Sequence, residues 1–159
     1  MDTYAELIRR FYDAFARRDH AAMAACYAPE AKFHDPVFGH LEGWRIAAMW
    51  RMLCERATDL SLTADQITAD GERGSAHWEA RYTFSATGRR VHNVIEASFR
   101  FADGRIIDHV DRFDLYRWSR QALGWKGWLL GWSPVVQNSI RSQASRGLES
   151  FIRKQGLGP

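Results

Sequence analysis

Along the first fifteen residues the apolar positions recur three and four apart. Tyr4, Ile8, Phe11 and Phe15 form a stripe that Leu7 widens, and Thr3 with Glu6 has capping-box spacing, so the pattern predicts a first helix of about four turns. Asp19 reads as the N-cap of a second, short helix with Met23, Cys26 and Tyr27 on its apolar side. Ala28-Pro29-Glu30 is expected to turn the chain into a brief alternating run, Ala31 to Asp35. Glu42-Gly43 then leads into a third helix with Ile46, Met49, Trp50 and Leu53 on one face.

From Leu60 the period changes to two. Leu60, Leu62 and Ala64 alternate with polar residues, and Ile67 carries the strand to an Asp70-Gly71 turn. Ala76, Trp78, Ala80, Tyr82 and Phe84 share the inward face of the next strand, and after Thr87-Gly88 the following strand presents Val91, Asn93, Ile95, Ala97, Phe99 and Phe101. Asp103-Gly104 is a hairpin signal. It delivers Ile107, His109, Asp111 and Phe113 to one face of a last strand. Helices followed by a meander of long strands predict an α+β domain: a curved antiparallel sheet forming a cone around the N-terminal helix, with a helical C-terminal extension.

The extension, residues 116–159, changes the picture of charge. Residues 1–115 carry 15 Lys/Arg against 18 Asp/Glu, and the remainder carries 7 against 1, so the net +3 belongs to the tail. Ser133-Pro134 starts a helix there, with Val136, Ile140, Ala144, Leu148 and Phe151 as its stripe. The preceding GWKGWLLGW places three tryptophans among glycines. They are expected to pack over the open end of the cone or across a dimer rather than on a membrane surface. Seven scattered basic residues without a known motif argue against nucleic acid. No apolar run approaches a membrane span and the start lacks a signal-peptide core, so the expected compartment is the cytoplasm. Cys26 and Cys54 read as small buried hydrophobes.

Candidate chemistry lies where polar groups interrupt apolar faces, because burying an ionisable group without a partner costs several kcal/mol. His109 and Asp111 do so in the last strand, Asn93 in the strand before it, and Tyr12 stands beside the first helix's stripe. Asp35 is held in extended backbone by Pro36, with Phe33, Val37 and Phe38 around it and His34 and His40 nearby. One reading makes Asp35 a general base; the other makes it an aspartate that opens a turn. Two acids and a histidine in one apolar cone can have their pKa values driven apart, which supplies both acid and base near neutrality. HExxH, CxxC, P-loop and GxGxxG patterns are absent, no His or acid pair has helical ligand spacing, and neither metal nor cofactor is expected.

Arg10-Phe11-Tyr12, Tyr27 to Ala31, Phe33-His34-Asp35-Pro36-Val37, Gly43, Phe99-Arg100-Phe101, Asp103 to Ile106 and His109-Val110-Asp111 occur in an order and spacing that resemble the nuclear-transport-factor-2-like superfamily. That superfamily shares its cystatin-like α+β cone among ketosteroid isomerases, scytalone dehydratase and SnoaL-like polyketide cyclases. The resemblance covers residues 1–115 and implies a homodimer formed through the sheet's outer face. It places Asp35 where ketosteroid isomerases carry their base. Phe11 and Ala97 stand where that enzyme's oxyanion donors would be, with Tyr12 and Glu96 each one position off, so the last strand looks more like the SnoaL-like branch. The expectation is an acid–base isomerase, aldol cyclase or dehydratase acting on a small apolar carbonyl compound. Asp35, His109 and Asp111 would carry the chemistry, and Tyr12, His40, Trp50, Trp78, Asn93 and Phe99 would contact substrate. The alternatives are a non-catalytic binder of an apolar small molecule and a dimeric interaction module.

Overall fold

The computed structural model describes residues 3–159. Helix α1 (Thr3–Ala16) buries Leu7, Ile8, Phe11, Tyr12 and Phe15, and Glu6 in its first turn pairs with Arg9 at 2.6 Å. Helix α2 (His20–Ala25) is capped by Asp19, whose carboxylate accepts the Ala22 N–H, and it buries Met23. Strand β1 (Tyr27–Asp35) and the short β2 (Gly39–Glu42) precede α3 (Trp44–Arg56). Four long strands follow: β3 (Ser61–Asp70), β4 (Arg73–Phe84), β5 (Arg89–Ala102) and β6 (Arg105–Arg112). Helices α4 (Leu115–Leu123), α5 (Trp125–Leu130) and α6 (Pro134–Gln155) complete the chain.

The sheet order is β2-β1-β6-β5-β4-β3. Strands β3 to β6 form the expected antiparallel meander, and β1 lies parallel to β6. Register shifts in β1, β3 and at the β5/β6 pairing add residues to one strand of a pair, which bends the sheet over α1 and α3. The interior is filled by Phe11, Phe33, Trp50, Ile95 and Phe101 between helices and sheet.

Three local expectations are corrected. Ala28-Pro29 does not turn the chain; it lies within β1, in the irregular stretch between the Tyr27 and Lys32 pairings, where Pro29's missing N–H is not needed by the ladder. Ile107 does not share the inward face of His109. Arg100 pairs with Asp108 and Phe101 with Ile106, so Ile107 is the extra residue of a bulge, and Ile106 takes the buried position. Of the two placements expected for the tail tryptophans, over the cone's open end or across a dimer, the first is not what the chain shows. Trp125, Trp128 and Trp132 are 67%, 58% and 65% exposed. The extension instead attaches through α6, whose Leu148, Phe151 and Ile152 join the main core, and through α4, whose Leu115, Trp118 and Ala122 pack with Val91.

Candidate active site

Asp35 ends β1, and its backbone pairs with Gly39 of β2. Its Oδ1 accepts the N–H groups of Val37 at 2.9 Å and Phe38 at 2.6 Å, which closes the turn between the two strands. Both readings of this residue therefore describe the same side chain. One oxygen opens a turn, while the carboxyl, only 9% exposed, lines a cavity and its Oδ2 has no hydrogen-bond partner among the described residues.

The cavity has a volume of about 420 Å³ and lies between the concave sheet, α3, α4 and α6. Phe15, Met49, Trp50, Ile95, Phe113 and Ile140 make much of its wall. Asp35, Asp111, Asn93 and Tyr82 line it from the sheet as polar side chains. Burial pushes the Asp35 carboxyl up to about 7; the charge of Asp111 adds to the rise, while the Phe38 and Val37 N–H groups and His109 oppose it.

Asp111 is held by a buried chain of hydrogen bonds. Its Oδ1 meets His109 Nε2 at 2.9 Å and accepts the Trp78 indole N–H at 3.3 Å. On the far side of the imidazole, Nδ1 lies 2.7 Å from the Tyr27 hydroxyl, which accepts the Trp50 indole N–H at 3.0 Å. One direction of donation satisfies the whole chain: Trp50 donates to Tyr27, Tyr27 to Nδ1, and Nε2–H to Asp111. His109 is fully buried among Phe11, Phe33, Trp50 and Phe99 and does not line the cavity. It orients Asp111 from behind.

Of the residues singled out from sequence, Asp35, Asp111, Trp50, Trp78 and Asn93 share the cavity wall. The Asn93 side chain makes no hydrogen bond among the described residues, leaving its amide available to a bound molecule. Phe99 packs on the His109 ring instead of the cavity. Tyr12 contacts Trp78 and Phe99 with its hydroxyl buried and unpartnered, outside the cavity lining, and burial followed by the nearby Asp111 holds its phenol well above the ordinary range. His40 is exposed on β2, where it pairs with Glu42 at 2.7 Å away from the site. Among the described residues no group of three His, Cys, Asp or Glu side chains could hold a metal ion.

Tyr82 is the site residue that sequence reasoning passed over. It stands on the inward face of β4, two residues beyond Ala80, which pairs with Asn93, and its hydroxyl accepts the Trp118 indole N–H at 2.8 Å. Its own hydrogen is thereby left to point elsewhere. Burial raises its phenol, opposed by the Trp118 bond and reinforced by Asp35. The signal was present as a polar tip on a buried face, the same mark that picked out Asn93.

A family described as a SnoaL-like domain matches residues 8–109. The chain belongs to this family. No curated protein sequence matches it. Among solved structures, an NTF2-like protein of unknown function from Burkholderia pseudomallei is 26% identical, with a TM-score of 0.64 over 72% of this chain and 92% of that one. An LEH-like epoxide hydrolase from M. tuberculosis is 22% identical, with a TM-score of 0.64 over 86% of this chain and 96% of that one. A hypothetical protein with a ketosteroid isomerase-like fold from Catenulispora acidiphila, solved with trimethylamine, is 13% identical, with a TM-score of 0.66 over 74% and 92%. The last two are alike in fold alone. The SnoaL-like family and the cone fold are those that the sequence motifs imply.

Proposed function

We propose that this SnoaL-like protein is an acid–base enzyme acting on a small, largely apolar carbonyl compound by isomerisation, aldol cyclisation or dehydration. The observation that carries the reading is the buried Asp35 carboxyl, poised to titrate near 7, with Oδ2 unpartnered in an apolar cavity wall. As the carboxylate, Asp35 removes a proton alpha to the carbonyl. The developing oxyanion is met by the Tyr82 O–H, which replaces the donors that Phe11 and Ala97 cannot supply, with the Asn93 amide beside it. Asp111 keeps Asp35 basic and holds a polar group of the substrate, and His109 is a positioning residue.

Exchange of alpha hydrogens for deuterium in apolar cyclic ketones, followed by NMR in D₂O, tests this without knowledge of the natural substrate. Wild type is expected to accelerate exchange, Asp35→Asn to abolish it, and Tyr82→Phe to slow it by about 10². Full exchange in Asp35→Asn would remove Asp35 from the mechanism. The turn-closing role of Oδ1 favours a second reading, a binding module that holds an apolar molecule without changing it. That reading requires saturable ketone binding, no exchange, and equal affinity in Asp35→Asn.

A further inference from the structure

The exposed large hydrophobic side chains among the described residues lie outside the cavity. Trp125, Trp128, Leu129, Leu130 and Trp132 are all exposed on and just after α5, and Val135 continues them into α6. A cluster of this size on a protein surface marks something that covers it. The presentation is built rather than loose. Gly127 lies so close on α4 that a Cβ there would collide with the Ser119 carbonyl oxygen, so the α5 backbone seats directly on α4 while its large side chains stay exposed. The Tyr116 hydroxyl donates to the Trp128 carbonyl at 2.8 Å, and the Trp132 indole donates to the Leu129 carbonyl at 2.9 Å.

The surroundings say what chemistry the cover has. No acidic residue occurs from Leu115 to Leu148, while Arg117, Arg120 and Lys126 do. Arg89, Arg117, Arg120 and Trp128 line one shallow depression, with Arg120 stacked over the Trp128 ring at 4.5 Å and Lys126 over Trp125 at 5.8 Å. Arg90, at the same depression, is already neutralised by Asp59. A second copy of this chain would bring the same positive charges face to face, which disfavours it. Tryptophan and leucine ringed by arginine and lysine suit the boundary of an anionic bilayer, where indoles sit at headgroup depth and each basic residue gains from the surface potential. We propose that the α5 patch docks this protein on anionic lipid surfaces. Among the described residues no helix is long and apolar enough to cross a membrane, so the contact is peripheral. Leu123 and Ile140, on the elements flanking the patch, line the cavity.

Flotation of the full chain with phosphatidylcholine vesicles containing one quarter phosphatidylglycerol, against phosphatidylcholine alone, tests the proposal independently of any catalysis. Co-flotation is expected with the anionic vesicles at low salt. Trp125→Ser with Trp132→Ser should abolish it, and Lys126→Glu should weaken it by about fivefold or more, with circular dichroism confirming that each variant is folded. Absence of co-flotation overturns the proposal, as does equal binding to neutral vesicles. Self-association in sedimentation that the double tryptophan variant abolishes, without vesicle binding, overturns it in favour of a second copy.

Discussion

Asp35 is asked to be buried, to close a turn and to titrate near neutrality, and these demands have opposite effects on stability. Its carboxyl titrates at about 7 in the fold against 3.8 unperturbed. Below about pH 4 both folded and unfolded chains hold the proton, and the residue contributes no pH dependence. Between 4 and 7 only the folded protein retains it, so stability falls as pH rises, and above 7 the full cost of the buried charge is present. At 1.36 kcal/mol per pH unit that cost is at most ~4 kcal/mol. Asp35→Asn keeps an oxygen to accept the Val37 and Phe38 N–H groups and removes the charge. Urea titrations should therefore find the variant more stable than wild type at pH 8 and indistinguishable at pH 4. A variant less stable at pH 8 would mean that the carboxylate is not penalised. The same titration fixes the activity profile, because a base of this kind is competent only above its pKa, and kcat/KM should climb through about pH 7.

At the scale of elements, what positions Asp35 is the crossing of β1, β2 and α3, and Gly43 is where they meet. It stands at φ 58° and ψ −128°, a conformation that side chains rarely adopt, and an added Cβ would lie 3.0 Å from the Pro29 carbonyl oxygen. Gly43→Ala is expected to cost about 1–3 kcal/mol in chemical denaturation, with a loss of under 0.5 kcal/mol pointing to a strand end that can give way. The elements differ in how much of themselves they write into the sequence. Strands β4 and β5 were legible because one face is buried over Ala76 to Ala80 and over Val91 to Phe101, so period two shows in both. Strand β2 has four residues and a single buried one, Leu41, too few for any period to show. The Ile107 bulge was invisible for another reason: two successive isoleucines fit either face, and only the pairing with β5 decides between them. Helix α4 was hidden by the tryptophan-rich run beside it, although Asp114 caps it by accepting the Arg117 N–H. In the site, Asp111 and Asn93 announced themselves as polar residues on apolar faces. His109 did too, but whether such a group lines a cavity or stands behind its wall depends on packing in three dimensions.

For the molecule as a whole, α6 serves both as a clamp and as a wall. Leu148, Phe151 and Ile152 bind it to the core, Arg45 pairs with Glu149, and Arg141 donates to the Pro36 carbonyl at 2.9 Å, tying the helix to the turn that carries Asp35. On its cavity side Ile140, Gln143, Ala144 and Gly147 complete the enclosure. These duties fall on different residues, so they should separate under mutation. Leu148→Ala empties space in a closed core and should cost about 2–5 kcal/mol. Ala144→Phe instead adds its ring where the 420 Å³ cavity has room, so its melting temperature should stay within about 3 °C of wild type. Binding of the apolar fluorophore 1-anilinonaphthalene, read by fluorescence titration, should weaken at least tenfold in Ala144→Phe. Unchanged affinity would place the ligand deeper, against Asp35 and Trp78 alone, and would reduce α6 to a clamp. The cone supplies the chemical groups, and this extension adds Trp118, Leu123 and Ile140 to the wall of the cavity that Asp35 lines, where burial lifts its carboxyl to about 7.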